Sequence, residues 1–152
     1  MTSTAAGDGA EATTIIRAAR GSDGDAVFAL LAQLGAETAA DRAEFDHGFS
    51  ACLRSPDPTF LRILEHEGVV RGYALTSIVP LLSANGTSAQ VQEIVIDTAL
   101  RGSGLGRLLL EAVEAECRDR GVRQVTVASR RSAGFYEQQG WVRSADFLRL
   151  EL

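Results

Sequence analysis

Arg101-Gly102-Ser103-Gly104-Leu105-Gly106 sets three glycines at alternate positions, directly ahead of a long amphipathic stretch. Glycine at such a place bares the backbone and permits turns that side chains resist. Where a chain enters a helix, the first-turn N–H groups lack partners and the helix dipole adds partial positive charge, so the turn is suited to hold an anion such as a phosphate. Two ionisable side chains lie near it in sequence. Glu93 stands alone in an otherwise uncharged run at 90–96, and a carboxylate there needs a reason, because burying it unpaired is costly. Tyr136 lies in Phe135-Tyr136-Glu137-Gln138-Gln139-Gly140-Trp141, and a phenol can donate a proton to a departing anion.

These groups need elements to position them. Residues 13–19 read as a first strand, followed by a turn at 21–24 in which Ser22 or Asp23 can cap a helix. Val27, Leu30, Leu31 and Leu34 recur at helical spacing, and Gly35 suits that helix's end. A second helix is expected from Glu37 to Leu53, with Phe45, Phe49 and Leu53 on one stripe, before Pro56 and Pro58 break it. Strands follow at 59–64 and 69–79 around a tight turn at 65–68, which would leave His66 exposed. Asn85-Gly86 marks another turn before a strand at 90–97. The helix after the glycine turn is expected to bury Leu105, Leu108, Leu109, Ala112, Val113 and Cys117. A strand at 122–128, a short helix at 132–139 and one or two closing strands within 141–152 complete the order.

Three phosphate motifs compete for the glycine turn. A P-loop needs a lysine after its glycines, and the chain contains no lysine. A dinucleotide site needs G-x-G-x-x-G in the first strand–helix unit and an acid ending the next strand; here the spacing is G-x-G-x-G and the next strand runs into Ala128-Ser129-Arg130. The turn does match the Q/R-x-x-G-x-G/A loop of acetyl-CoA-dependent N-acyltransferases. The 135–141 segment matches the F/L-Y-x-x-x-G-F/W signature that follows it in the same proteins. On these two motifs and the element order of 13–152, the chain resembles the GNAT superfamily.

The resemblance implies an α/β (α+β) single-domain fold. In it a mixed central sheet of 6-7 strands is flanked by about four helices, with splayed strands around an acetyl-CoA wedge. It implies that acetyl-CoA is the cosubstrate and that its pyrophosphate rests on the amides of Arg101, Gly102, Ser103, Gly104, Leu105 and Gly106, with Arg107 nearby. The pantetheine arm would run beside Ile94, Val95 and Ile96, and the Ile96 amide or a neighbour would face the oxygen that becomes negative during transfer. Tyr136 matches the family's general acid. The asparagine that many members carry ahead of that tyrosine falls at Ser129, which can still hydrogen-bond the arm. Arg130 and Arg131 are within reach of coenzyme phosphates, or are solvated surface charge. The base is left open between Glu93, water-relayed or direct, and bulk water. The positions usual for it fall on Gln90 and Gln92, and Glu93 has the opposite side-chain parity unless a bulge turns the strand.

The function so implied is transfer of an acetyl group to a primary amine, of a small molecule, a peptide or a protein, by direct attack in a ternary complex. The alternative is a catalytically weak acyl-CoA-binding module used as a sensor or docking domain. The remaining features bound the choice. A chain of 152 residues with 45% hydrophobic content suits one domain, residues 13–152, behind a polar tail at 1–12 expected to be flexible. Net charge of −5 argues against nucleic-acid binding and tolerates cationic amines at Asp41, Glu44 and Asp46 on the second helix, although a solvated face is the simpler reading for these and for His47. Cys52 and Cys117 match no metal-ligand spacing, so no metal site is expected. No apolar run approaches the roughly 20 residues of a membrane span, and a cytoplasmic protein is the expectation. The resemblance allows a homodimer.

Overall fold

The computed structural model describes residues 12–35 and 39–152. The expected tail at 1–12 and the start of the second expected helix at Glu37 fall largely outside them. Five strands form one sheet in chain order: β1 (Thr14–Ala18), β2 (Thr59–His66), β3 (Val69–Leu81), β4 (Gly86–Ile96) and β5 (Gln124–Val127). The first four run antiparallel, and β5 joins β4 in parallel after a helical crossover. The β2–β3 turn places Glu67 and Gly68 both at positive φ, 51° and 75°, the geometry that matches the twist of paired strands. His66 is the last residue of β2 and part-buried, its Nδ1 bonded to Thr14 Oγ1 at 2.7 Å, so the expectation of an exposed turn histidine is corrected.

Among the described residues, four α-helices cover the sheet: α1 (Gly24–Leu31), α2 (Arg42–Arg54), α3 (Leu105–Asp119) and α4 (Ala133–Gln138). α2 begins at Arg42, where the Asp41 carboxylate accepts from Glu44 N and satisfies a first-turn donor. On one face of the sheet, Val27 and Leu30 of α1 and Phe49 of α2 pack with Leu61, Ile63, Tyr73 and Val95. On the other, Leu105, Leu109, Val113 and Cys117 of α3 pack with Phe60, Leu64, Ala74, Ile78, Ala89 and Val91. The α3 stripe differs from expectation: Leu108 is exposed, Ala112 is half-buried and Leu110 is buried.

The sheet is smaller than the expected six to seven strands. Residues 141–152 form no strand, and Val142, Phe147, Leu148 and Leu150 are exposed. The alternation of Leu148, Leu150 and Leu152 carries strand propensity, but a strand needs a ladder partner, and among the described residues no strand pairs with this segment. Trp141, at the start of the segment, is held: it packs against the α3-side core and its indole N–H donates to Glu114 at 3.0 Å.

Candidate active site

The glycine turn forms the entry to α3. Gly102 and Gly104 both take positive φ, 77° and 86°, and Gly104 is the residue that caps the helix. A side chain at either would meet open space, so the backbone conformation, not crowding, demands glycine. The first-turn amides of α3, at Leu105, Gly106 and Arg107, have no carbonyl within the helix to bond. Arg101 braces the turn from outside: its Nε donates to Ile96 O at 3.2 Å and its guanidinium to Gln33 O at 3.3 Å. Gln33 returns the contact, its Oε1 accepting from Thr98 N at 2.8 Å. Arg107 is paired with Glu111 on the exposed side of α3.

β4 and β5 pair over only four positions, from Ser88↔Gln124 to Val91↔Val127. β5 then ends while β4 runs on to Ile96, so the two strands part beyond Val91. Asp97 N bonds Arg71 O, which fixes the antiparallel alternation of the β3–β4 ladder. By that alternation Glu93 and Val95 bond to β3, and the amides of Ile94 and Ile96 face the side that β5 has vacated. The gap is therefore lined by backbone donors and acceptors with the spacing of a strand edge, which an extended arm bearing amide groups can bond. Gly106 closes its lower end, where the position of a Cβ would lie 3.6 Å from both Ile96 and the ring of Phe135. The end of β4, the start of α3 and the start of α4 thus meet at one point.

Tyr136 sits one residue beyond that point. It is buried, with its ring against Phe135 at 5.1 Å and Trp141 at 5.5 Å. Burial raises its phenol above the ordinary tyrosine value, so the group holds its proton through neutral pH. Ser129 uses its Oγ to accept from Ser132 N at 3.1 Å, which shapes the approach to α4. Arg131 crosses toward the loop after α1, its guanidinium 3.5 Å from where a Cβ on Gly35 would stand.

Glu93 resolves the parity question raised by the sequence. The β3–β4 register shifts between Leu75 and Thr76, whose partners are Glu93 and Val91, so Gln92 is an extra residue in a β-bulge. The bulge puts Glu93 on the face of Tyr73 and Val95, toward α1 and α2, and Ile94 and Ile96 on the face of α3. Glu93 Oε2 accepts from the Tyr73 hydroxyl at 2.9 Å. Gln92 points to solvent and bonds Ser77. Tyr73 is a core residue whose polar tip the sequence alone does not connect to Glu93, because the pairing that brings the two together depends on the bulge. Asp41, at the cap of α2, and Glu44, Asp46 and His47 on it all lie exposed, and Asp46 is paired with Arg42.

The arrangement provides an anion-binding turn, an open strand edge leading away from it, a protonated phenol on the α3 side and a carboxylate on the α1–α2 side. Such a set can hold an extended phosphate-bearing thioester and pass protons on either side of its carbonyl. Among the described residues, no group of acids, histidines and cysteines is placed to hold a metal ion, and no helix is long and apolar enough to cross a membrane.

Comparison with known proteins agrees with this geometry. The family model described as acetyltransferase (GNAT) family matches residues 26–141. An aminoalkylphosphonate N-acetyltransferase of Salmonella typhimurium is 31% identical over 133 residues, which cover 85% of each chain. Among solved structures, glucosamine-6-phosphate N-acetyltransferase from Arabidopsis thaliana superposes with a TM-score of 0.80 at 23% identity, over 91% of this chain and 98% of that one. An aminoglycoside N-acetyltransferase in complex with CoA superposes with a TM-score of 0.78 at 15% identity, over 95% and 97%.

Proposed function

The chain belongs to the GNAT acetyltransferase family, and on that premise we propose that it moves an acetyl group from acetyl-CoA to the primary amine of a small molecule by direct attack in a ternary complex. It is an acyltransferase, and acetyl-CoA supplies the activated acyl group as a thioester. The observation that carries the reading is the parting of β4 from β5 directly above the glycine turn. The first-turn amides of α3 and the turn at 101–106 hold the pyrophosphate. The outward amides of Ile94 and Ile96 hold the pantetheine and face the carbonyl oxygen as it becomes negative.

Glu93 takes the proton from the attacking amine, directly or through one water, so that nitrogen presents its lone pair to the carbonyl carbon. Tyr136 gives its proton to the sulfur as the carbon–sulfur bond breaks. The two groups stand on opposite faces of β4, so the amine and the leaving thiol are served from separate sides. No covalent enzyme adduct is needed. A small acceptor is favoured because the 31%-identical relative is named for aminoalkylphosphonates, which makes these the first amines to try. Free coenzyme A release is to be followed with acetyl-CoA and a panel of aminoalkylphosphonates, amino sugars, polyamines and peptide amines. Turnover with one small amine well above the hydrolytic background is expected. Tight acetyl-CoA binding with no turnover on any amine would leave a binding module instead.

A further inference from the structure

Tyr73 is one of the largest fully buried side chains in the molecule, at 1% exposure, and it lies among Val27, Leu30, Phe49, Leu61, Ile63 and Val95. A phenylalanine would fill that space. The hydroxyl instead reaches diagonally across the β3–β4 ladder, from the position opposite Val95 to the carboxylate of Glu93. It can do so only because the Gln92 bulge brings Glu93 onto this face. Burial and the Glu93 charge push the Tyr73 phenol far above its usual value, so it stays a donor at every working pH. From α2, Cys52 faces the same carboxylate; its thiol is raised by burial and by Glu93 and stays neutral. α1 contributes only the apolar Val27 and Leu30 to this cluster. The carboxylate is therefore steadied by one neutral donor.

We propose that Tyr73 is a positioning residue for acetyl transfer: its O–H fixes Glu93 through Oε2, so that Oε1 is the oxygen presented to the amine. The inference rests on the reading of Glu93 as base. In the step it serves, an N–H bond of the protonated amine breaks and the proton passes to Oε1; the electron pair left on nitrogen forms the C–N bond as the carbonyl π pair moves to oxygen, and the C–S bond breaks when that pair returns, the sulfur taking the Tyr136 proton. A hydrogen bond donated to a carboxylate favours the charged, proton-accepting form. Removing it weakens the base most at low pH, where protonation competes.

The test compares pH profiles of kcat/KM for the amine in the native enzyme, Tyr73→Phe, Glu93→Gln and the double variant. Tyr73→Phe keeps the ring, so the core stays filled. The expected result is an acid limb moved to higher pH in Tyr73→Phe, by about one pH unit, with unchanged KM for acetyl-CoA. Glu93→Gln removes the limb, and adding Tyr73→Phe to Glu93→Gln costs nothing more. If Glu93→Gln removes the limb while Tyr73→Phe leaves it in place, or if the two losses simply multiply, the positioning role is overturned and the base stands. A limb that survives Glu93→Gln overturns the base assignment itself, and the inference falls with it.

Discussion

Tyr136 and Glu93 acquire their chemistry from their surroundings more than from their own side chains. A tyrosine is a weak acid, and burial against Phe135 and Trp141 makes it weaker still; on the proposed mechanism this keeps the proton in place until a thiolate forms beside it. Tyr136→Phe preserves the packing and removes only that proton. Its kcat is expected to fall about 100-fold or more, with KM for acetyl-CoA changed little, because the loss occurs as the sulfur departs and not on binding. Steady-state kinetics with a fixed amine checks this. Equal kcat in the variant would show that solvent protonates the thiolate. Tyr136 was legible in the sequence because a motif marks it. Glu93 was half legible: its oddity in an apolar strand showed, but the bulge at Gln92 that aims it depends on pairing with β3 and cannot be read from β4 alone.

The elements divide into those that local sequence dictates and those that tertiary contact decides. The glycine turn, the α3 helix and both hairpin turns carry their instructions in the residues that form them, and they stand where expected. The closing strands do not, since Leu148, Leu150 and Leu152 alternate correctly but strand formation is settled by a partner. Arg17 and Asp23 show a tertiary constraint of the same kind, invisible in sequence. Arg17 of β1 forks onto both oxygens of Asp23 at 2.8 Å, and Asp23 also accepts from Arg20 N at 2.7 Å, so one carboxylate ties β1 to the start of α1. The Arg17 hydrogen bonds hold Asp23 below the usual carboxylate range. That contribution is fully present above the unfolded value of about 3.9 and is lost as pH falls through the lower folded value. Asp23→Asn should therefore cost about 3 kcal/mol near neutral pH, and the gap between variant and native should close as pH falls below about 4. Urea titrations across that range measure it; a gap that stays constant would place the cost in packing instead of charge.

The whole molecule is organised around one discontinuity. Two strands that a parallel crossover should zip together stay paired for four positions and then separate, and the helix of that crossover begins at the base of the opening. Sequence patterns located both strands and the helix, and the resemblance supplied the expectation of a wedge. Where β5 stops relative to β4 is a register fact that only the folded sheet contains. Tyr136 and Glu93 lie on opposite faces of β4 beside the opening, and Gln33, just past α1, and Arg101 of the glycine turn brace its lower rim. The proposed function requires coenzyme A to lie in that opening with its diphosphate on main-chain nitrogen. The direct measurement is an amide-resolved NMR titration of the full chain with coenzyme A. Saturable shifts largest at Gly102, Ser103, Gly104, Leu105 and Gly106, continuing to Ile94 and Ile96, are predicted. Saturation with those amides unmoved, or no saturation at millimolar coenzyme A, would contradict the account.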